Sequence, residues 1–333
     1  MQEKINELRK LLKEAKNIII VTHNNPDGDA IGSSLALFHY LNKINIKSTI
    51  ITPNNHPSFL NWAPGIDELL IFEGNPENAI KKIKESELIF TLDFNSLTRC
   101  GEIFNHLDID KNFIMIDHHQ NPESYAKIQF SEPSISSTCE LVYNLIDGFG
   151  DKSIIDKKIA SCLYLGMMTD TGCFQYNGVT SKTYEIISDL LKKKIDQSEI
   201  YNNVYNNSSE SKLIVLGKAL GSLKVLNNHN TSFMHLTKKD LLESNYQKGD
   251  SEGIVNYGLT LSNINFTAIF IEDIDQEDLI KISFRSKIDF PCNKFAEQYF
   301  EGGGHINAAG GKFIGSIKEA IELFKEKIKE FQV

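Results

Sequence analysis

The chain has 333 residues, 41% of them apolar, and carries 35 Lys and Arg against 44 Asp and Glu, a formal charge of −9. The length accommodates two domains and the apolar share is ordinary for a globular protein, which excludes disorder as the default. The acidic balance leaves no global basic field for long duplex nucleic acid, so an anionic substrate has to be gripped locally.

In chain order, the first half alternates between helix and strand patterns. Residues 3–15 read as helix, 17–22 as strand, 30–41 as helix, 47–52 as strand, 76–85 as helix and 87–92 as strand. This alternation predicts a parallel sheet with helices on both faces. A further strand, 112–116, runs directly into Asp117-His118-His119. From residue 136 the pattern turns helical, at 139–146, 153–168 and 181–194, with a connector expected between Lys194 and Gly217. The last third predicts a hairpin (222–226 and 231–236) and a strand pair across an acidic turn (266–271 and 278–285). With helical stretches at 252–261, 293–300 and 317–331, it reads as a smaller α+β domain. The N-terminal residues 2–16 form a charged amphipathic pattern rather than an apolar signal core. No window approaches the ~18 uninterrupted apolar residues of a membrane span, so no membrane partner is expected and the cytoplasm is the expected location. Five cysteines with no Cys-x-x-Cys spacing read as buried reduced thiols.

The chemistry concentrates at strand ends. The run Ile18 to Val21 suits a buried parallel strand and places His23 at its carboxyl end, where open α/β sheets bind ligands. Pro26 and Gly28 turn the chain, so that Asp27 and Asp29 can face one point. Carboxylates held that close repel unless a cation lies between them, although an isolated Asp-x-Asp also reads as an N-cap and a turn residue. Asp93 follows the strand ending at Leu92 and can bridge two cations. Imidazoles beside carboxylates in Asp117-His118-His119 suit Mn²⁺, Fe²⁺, Co²⁺ or Zn²⁺ better than Mg²⁺ or Ca²⁺. Asp170, at the end of a helical pattern, offers another carboxylate or is a loop residue. In the last third, Gly302-Gly303-Gly304-His305 lets backbone N–H groups approach an anion, or is a flexible turn. The small-residue segment after it is expected to start a helix whose positive end faces the same anion. Arg285, on a strand, either reaches that anion with its planar fork or is solvated.

Taken together, His23-x-x-x-Asp27-x-Asp29, Asp93, Asp117-His118-His119, Asp170 and Gly302-Gly303-Gly304-His305 resemble the ordered motifs of the DHH/DHHA1 phosphoesterase superfamily over nearly the whole chain. The stand-alone two-domain length is similar to the NrnA-type oligoribonucleases, also called nanoRNases or pAp phosphatases. The resemblance implies a parallel-sheet DHH domain at 1–194, a helical connector at 195–217, a DHHA1 substrate-binding domain at 218–333, and an active site in the interdomain cleft. It implies two divalent metal ions, Mn²⁺ foremost: one on His23, Asp27 and Asp93, the other on Asp29, Asp93, His118 and Asp170. By the same resemblance His119 and Arg99 contact the scissile phosphate, Asp117 orients an imidazole, and Arg285, Gly303, Gly304 and His305 bind substrate. The implied reaction is hydrolysis of short single-stranded oligoribonucleotides to mononucleotides, and of the nucleoside bisphosphate pAp to AMP, by a hydroxide bridging two metals. The alternatives are a phosphodiesterase for cyclic or linear dinucleotides, a pyrophosphatase, an exopolyphosphatase and a catalytically inactive nucleotide-binding regulator. Oligomeric state is open, with a homodimer among the possibilities.

Overall fold

The computed structural model describes residues 2–176, 178–287 and 290–331, and the chain divides into two compact units, Met1–Asn207 and Ser208–Val333. In the first unit six strands form one parallel sheet: β1 (Ile18–Val21), β2 (Ser48–Thr52), β3 (Leu69–Ile71), β4 (Leu88–Leu92), β5 (Asn112–Asp117) and β6 (Ile128–Ser131). Their order is β3-β2-β1-β4-β5-β6, so the winding reverses between β1 and β4 and opens a crevice at their carboxyl ends. Every residue of β1 and β4 is buried, because helices cover both faces. Ile18, Ile20, Leu88 and Phe90 enter one core, whereas Ile19, Val21 and Ile89 enter the other.

The helices of this unit are α1 (Gln2–Glu14), α2 (Gly28–Lys43), α3 (Pro76–Glu85), α4 (Thr138–Gly148), α5 (Lys157–Asp170), α6 (Ser181–Leu191) and α7 (Gln197–Tyr205). Six of them start on a side chain that accepts from a free N–H: Asp27 for α2, Asn75 for α3, Ser137 for α4, Asp156 for α5, Thr180 for α6 and Asp196 for α7. Glycines set the crossing of α2 and α5. A Cβ at Gly32 would lie 2.6 Å from the Cys162 carbonyl oxygen, and one at Gly166 would lie 2.6 Å from Asp29 Oδ1. Only hydrogen at these positions lets the two backbones come so close. Short strands β3 and β6 escape the sequence pattern, since three or four residues are too few to show a period.

The second unit is a six-stranded mixed sheet with α8 (Glu210–Gly221), α9 (Lys238–Glu243), α10 (Cys292–Tyr299) and α11 (Ile317–Glu330). Its strands are β7 (Lys224–Leu226), β8 (Thr231–Leu236), β9 (Phe266–Glu272), β10 (Leu279–Ser286), β11 (Gly303–His305) and β12 (Ala308–Ile314). They lie in the order β11-β12-β10-β9-β8-β7. The expected β7–β8 and β9–β10 pairs are antiparallel, and β8 and β9 are parallel. One face holds a phenylalanine-rich core that includes Phe266, Phe270, Phe284, Phe295 and Phe324. Residues 254–260, inside the helical stretch expected at 252–261, form a 3₁₀ segment.

The helix expected after the glycine run is corrected: Gly303–His305 and Ala308–Ile314 form an antiparallel hairpin. The small residues serve strand contact instead. A Cβ at Gly302 would meet the Gly310 carbonyl at 2.0 Å, and one at Gly311 would meet the Phe300 carbonyl at 2.9 Å. The anion grip of a helix N-terminus is therefore absent from this segment. All five thiols are free, four of them buried and Cys173 half-buried. Among the described residues no helix is long and apolar enough to cross a membrane.

Candidate functional site

The carboxyl ends of β1, β4 and β5 bring the acids and imidazoles of the first unit together. His23 follows β1, is 7% exposed, and its Nδ1–H donates to the Asn24 carbonyl at 2.9 Å. A carbonyl only accepts, so Nδ1 carries a proton and Nε2 is the nitrogen turned inward. It faces Asp93 Oδ2 at 3.5 Å and Asp27 Oδ1 at 3.9 Å. His118 repeats the arrangement: Nδ1 donates to the Ile135 carbonyl at 3.2 Å, and Nε2 faces Asp170 Oδ2 at 3.2 Å and Asp93 Oδ1 at 3.7 Å. The His119 Nδ1–H donates to the fully buried Asp117 Oδ1 at 2.7 Å, which fixes the ring.

The carboxylates of Asp27 and Asp29 are held by backbone N–H groups. Asp27 Oδ1 caps α2, accepting from the N–H groups of Asp29 and Ala30 at 3.0 Å each. The N-cap reading and the ligand reading are thus compatible, since Oδ2 takes no part in the cap. Asp29, in the first turn of α2, accepts from the backbone N–H of Thr138 at 2.6 Å and of Cys139 at 2.9 Å. One carboxylate thereby ties α2 to the start of α4. Asp93 has a left-handed backbone, φ 67°, a conformation Asp tolerates better than most residues. Its N–H donates to the Ile116 carbonyl at 3.0 Å, and its Oδ1 accepts from the Thr138 hydroxyl at 2.9 Å. Thr138 is a site residue that sequence reading missed. An N-capping Ser-Thr pair at a helix start carries no signal that its hydroxyl faces an acid 45 residues away.

Three groups of potential ligand atoms result, each within 4.8 Å: His23, Asp27 and Asp93; Asp29, His118 and Asp170; and Asp93, His118 and His119. Asp93 and His118 each belong to two of them. Burial together with repulsion from Asp93, Asp170 and Asp27 pushes the Asp29 carboxyl well up. Burial likewise raises Asp170 to about 7, with Asp93 adding and His118 opposing. Burial works against charge on His23, yet its Asp93 and Asp27 partners outweigh this and push it up to about 9. Asp93 is buried too, but the three imidazoles hold it well below the usual range. Asp117 Oδ2 is buried with no hydrogen-bond donor among the described residues. The cluster gathers carboxylates that repel one another and presents them beside imidazole Nε2 atoms whose rings are fixed through Nδ1, so a divalent cation, displacing the imidazole protons, fits it.

Arg99 is half-buried in the irregular segment Leu97–His106, and its carbonyl accepts from the Asn24 N–H at 2.7 Å. This ties its segment to the His23 loop. The remaining expected residues belong to the second unit. Arg285 is paired in register with Ala308, and Ala308 with His305. Residues opposite one another in antiparallel strands share a face, so Arg285 and His305 flank Ala308 on one side of the sheet. Gly303 pairs with Gly310 and Gly304 with Ala309.

The chain matches two family models: the DHH family N-terminal domain over residues 17–167 and the DHHA1 domain over residues 230–332. It is 28% identical to the bifunctional oligoribonuclease and PAP phosphatase NrnA of Bacillus subtilis, over 91% of each chain. It is 26% identical to the cyclic-di-AMP phosphodiesterase GdpP of the same organism, over 97% of this chain but 49% of that protein. A solved exopolyphosphatase-related protein from Bacteroides fragilis is 44% identical, with a TM-score of 0.96 over 99% of this chain and 96% of its own. The acids and imidazoles at three strand ends fall within or just beyond the DHH match and the Arg285 and His305 strands within the DHHA1 match; the chain belongs to the DHH family of phosphoesterases, hydrolases of phosphoester bonds, and carries a DHHA1 domain.

Proposed function

We propose that this protein hydrolyses short single-stranded oligoribonucleotides to mononucleotides, and the nucleoside bisphosphate pAp to AMP, with two divalent metal ions. The observation that carries this reading is the run of three adjoining ligand groups, His23-Asp27-Asp93, Asp93-His118-His119 and Asp29-His118-Asp170, joined through Asp93 and His118. His23, Asp27 and Asp93 would hold one ion, and Asp29, Asp93, His118 and Asp170 the other, with Asp93 shared. Cations bound there supply an acidified water at neutral pH and neutralise charge building on the phosphoryl oxygens.

The chain's own residues do the rest. Asn24 and Ile135 keep two imidazole Nε2 atoms aimed at the cluster. Asp117 holds His119 against the scissile phosphate, where Arg99 adds a fixed positive charge. Arg285, Gly303, Gly304 and His305 bind the substrate's far end. An acidic protein without an extended basic track favours short strands over long ones. Manganese is the ion we expect, because imidazole donors suit it better than magnesium. We place the protein in the cytoplasm, acting on small substrates with no membrane partner.

A second reading has one observation in its favour. Similarity to GdpP covers nearly all of this chain, which keeps a cyclic dinucleotide in view as substrate. A side-by-side assay with Mn²⁺ decides between them, using a dinucleotide, a longer RNA, pAp, a cyclic dinucleotide and pyrophosphate. Preference for the dinucleotide and pAp supports the proposal. Preference for the cyclic dinucleotide or for pyrophosphate overturns it.

A further inference from the structure

Immediately after Asp170 the backbone does something costly. Gly172, Cys173 and Phe174 have φ of 55°, 59° and 66°, three successive left-handed residues, a conformation that costs each of the two non-glycine residues. The loop is nonetheless pinned. Cys173 N–H donates to the Met168 carbonyl at 2.9 Å, and Gln175 and Tyr176 N–H donate to the Thr171 carbonyl at 2.9 and 3.1 Å. Phe174 N–H donates to the Thr171 hydroxyl oxygen at 2.9 Å. Strain held by so many bonds is a mark of a functional segment.

The loop's product is an aromatic surface. Phe174 lies between Tyr164 and Tyr184, with ring centroids 5.9 and 6.1 Å away. The Tyr176 ring packs against Gly172, so close that a Cβ there would be 2.5 Å from it. Helix α7 brings Tyr201 and Tyr205, 5.1 Å apart, and the Tyr205 hydroxyl sits beside the Cys173 thiol, near Tyr176. Four of these rings are open: Tyr176 is 57% exposed, Tyr184 54%, Tyr201 42% and Tyr205 39%. An exposed cluster of large rings is unusual on a water-facing surface and marks a binding face. The rings are neutral, so they offer π-faces and not charge. The Tyr176 ring rests on Gly172, which is two residues from Asp170 and so at most about 7 Å of chain away, a distance comparable to the width of the sugar that separates a base from its phosphate.

We propose that Tyr176, with Tyr184, Tyr201 and Tyr205 around it, is a stacking platform for the nucleobase next to the phosphate hydrolysed at the Asp/His cluster. The platform rests on the nucleotide reading above and deepens it. It gives the first unit its own means of telling a nucleotide from an inorganic phosphate chain, because pyrophosphate has nothing to stack. Base-on-aromatic stacking is tolerant of sequence, since every base has a π-face.

The test compares a dinucleotide with the same dinucleotide lacking its bases, in full-length protein with Mn²⁺. The quantity read is the ratio of kcat/KM for the two substrates. In Tyr176→Ala the ratio falls about tenfold, mostly through KM of the base-bearing substrate, and in Tyr176→Phe it is retained. Tyr184→Ala, at the other edge of the patch, gives a smaller fall in the same direction. Both rings are more than half exposed, so truncation opens no buried cavity. A ratio within twofold of wild type in both alanine variants overturns the platform while leaving the proposed activity standing. Wild-type protein that cleaves neither substrate overturns the proposed activity and the platform with it.

Discussion

Thr138→Val probes the site through one atom. The valine keeps the shape of a side chain that is fully buried and leaves the backbone N–H that Asp29 accepts from, but it removes the hydroxyl that donates to Asp93 Oδ1 at 2.9 Å. A hydrogen bond to a charged group contributes ~1.5–3 kcal/mol, and at 1.4 kcal/mol per tenfold that is a factor of about 10–150. Losing a group that orients a metal ligand typically costs about 10–100-fold in metal affinity or activity, so the two routes agree. The assay is Mn²⁺ titration of metal-stripped protein by calorimetry, paired with kcat/KM on a dinucleotide. Thr138→Ser restores the donor and should recover most of both. Metal affinity and kcat/KM within twofold of wild type in Thr138→Val would refute the argument that Asp93 is the shared carboxylate held by this hydroxyl.

Three other outcomes are expected. Asp93→Asn, which keeps a residue tolerant of φ 67°, should abolish hydrolysis and lower metal occupancy while the fold survives, read by metal analysis and circular dichroism. On metal-stripped protein Mn²⁺ should support more activity than Mg²⁺, and Ca²⁺ none, in a titration of each ion. Asp273, whose carboxyl is held down to about 2 by its Lys281 partner and the Gln276 and Asp275 N–H groups, stabilises the β9–β10 turn above its unfolded value near 4 and loses that contribution as pH falls toward 2. Thermal melts of wild type and Asp273→Asn should therefore differ at pH 6 and converge on acidification; a constant gap between them would contradict the assignment.

Much of this protein is legible in its sequence because the informative signals are local. A β-branched run followed at once by His23, or a strand leading straight into Asp117-His118-His119, places a donor at a strand's carboxyl end with no knowledge of the partner strands. Periodicity over ten or more residues likewise marks the long helices, and the Asp-x-Asp turn marks the start of α2. What only the tertiary structure decided is adjacency. The strand order that sets β1 beside β4, and so His23 beside Asp93, depends on winding that no local pattern encodes. Thr138 reaches Asp93 across 45 residues and Asp29 reaches the start of α4 across 109, and Gly166 lacks the Cβ that would collide with Asp29 and Cys139. The glycine run before His305 shows the limit in the other direction. Small residues permit a helix start or a close strand pair equally well, and here Gly302 and Gly304 lie against the backbone of residues 308–311, where a Cβ would collide, in the hairpin.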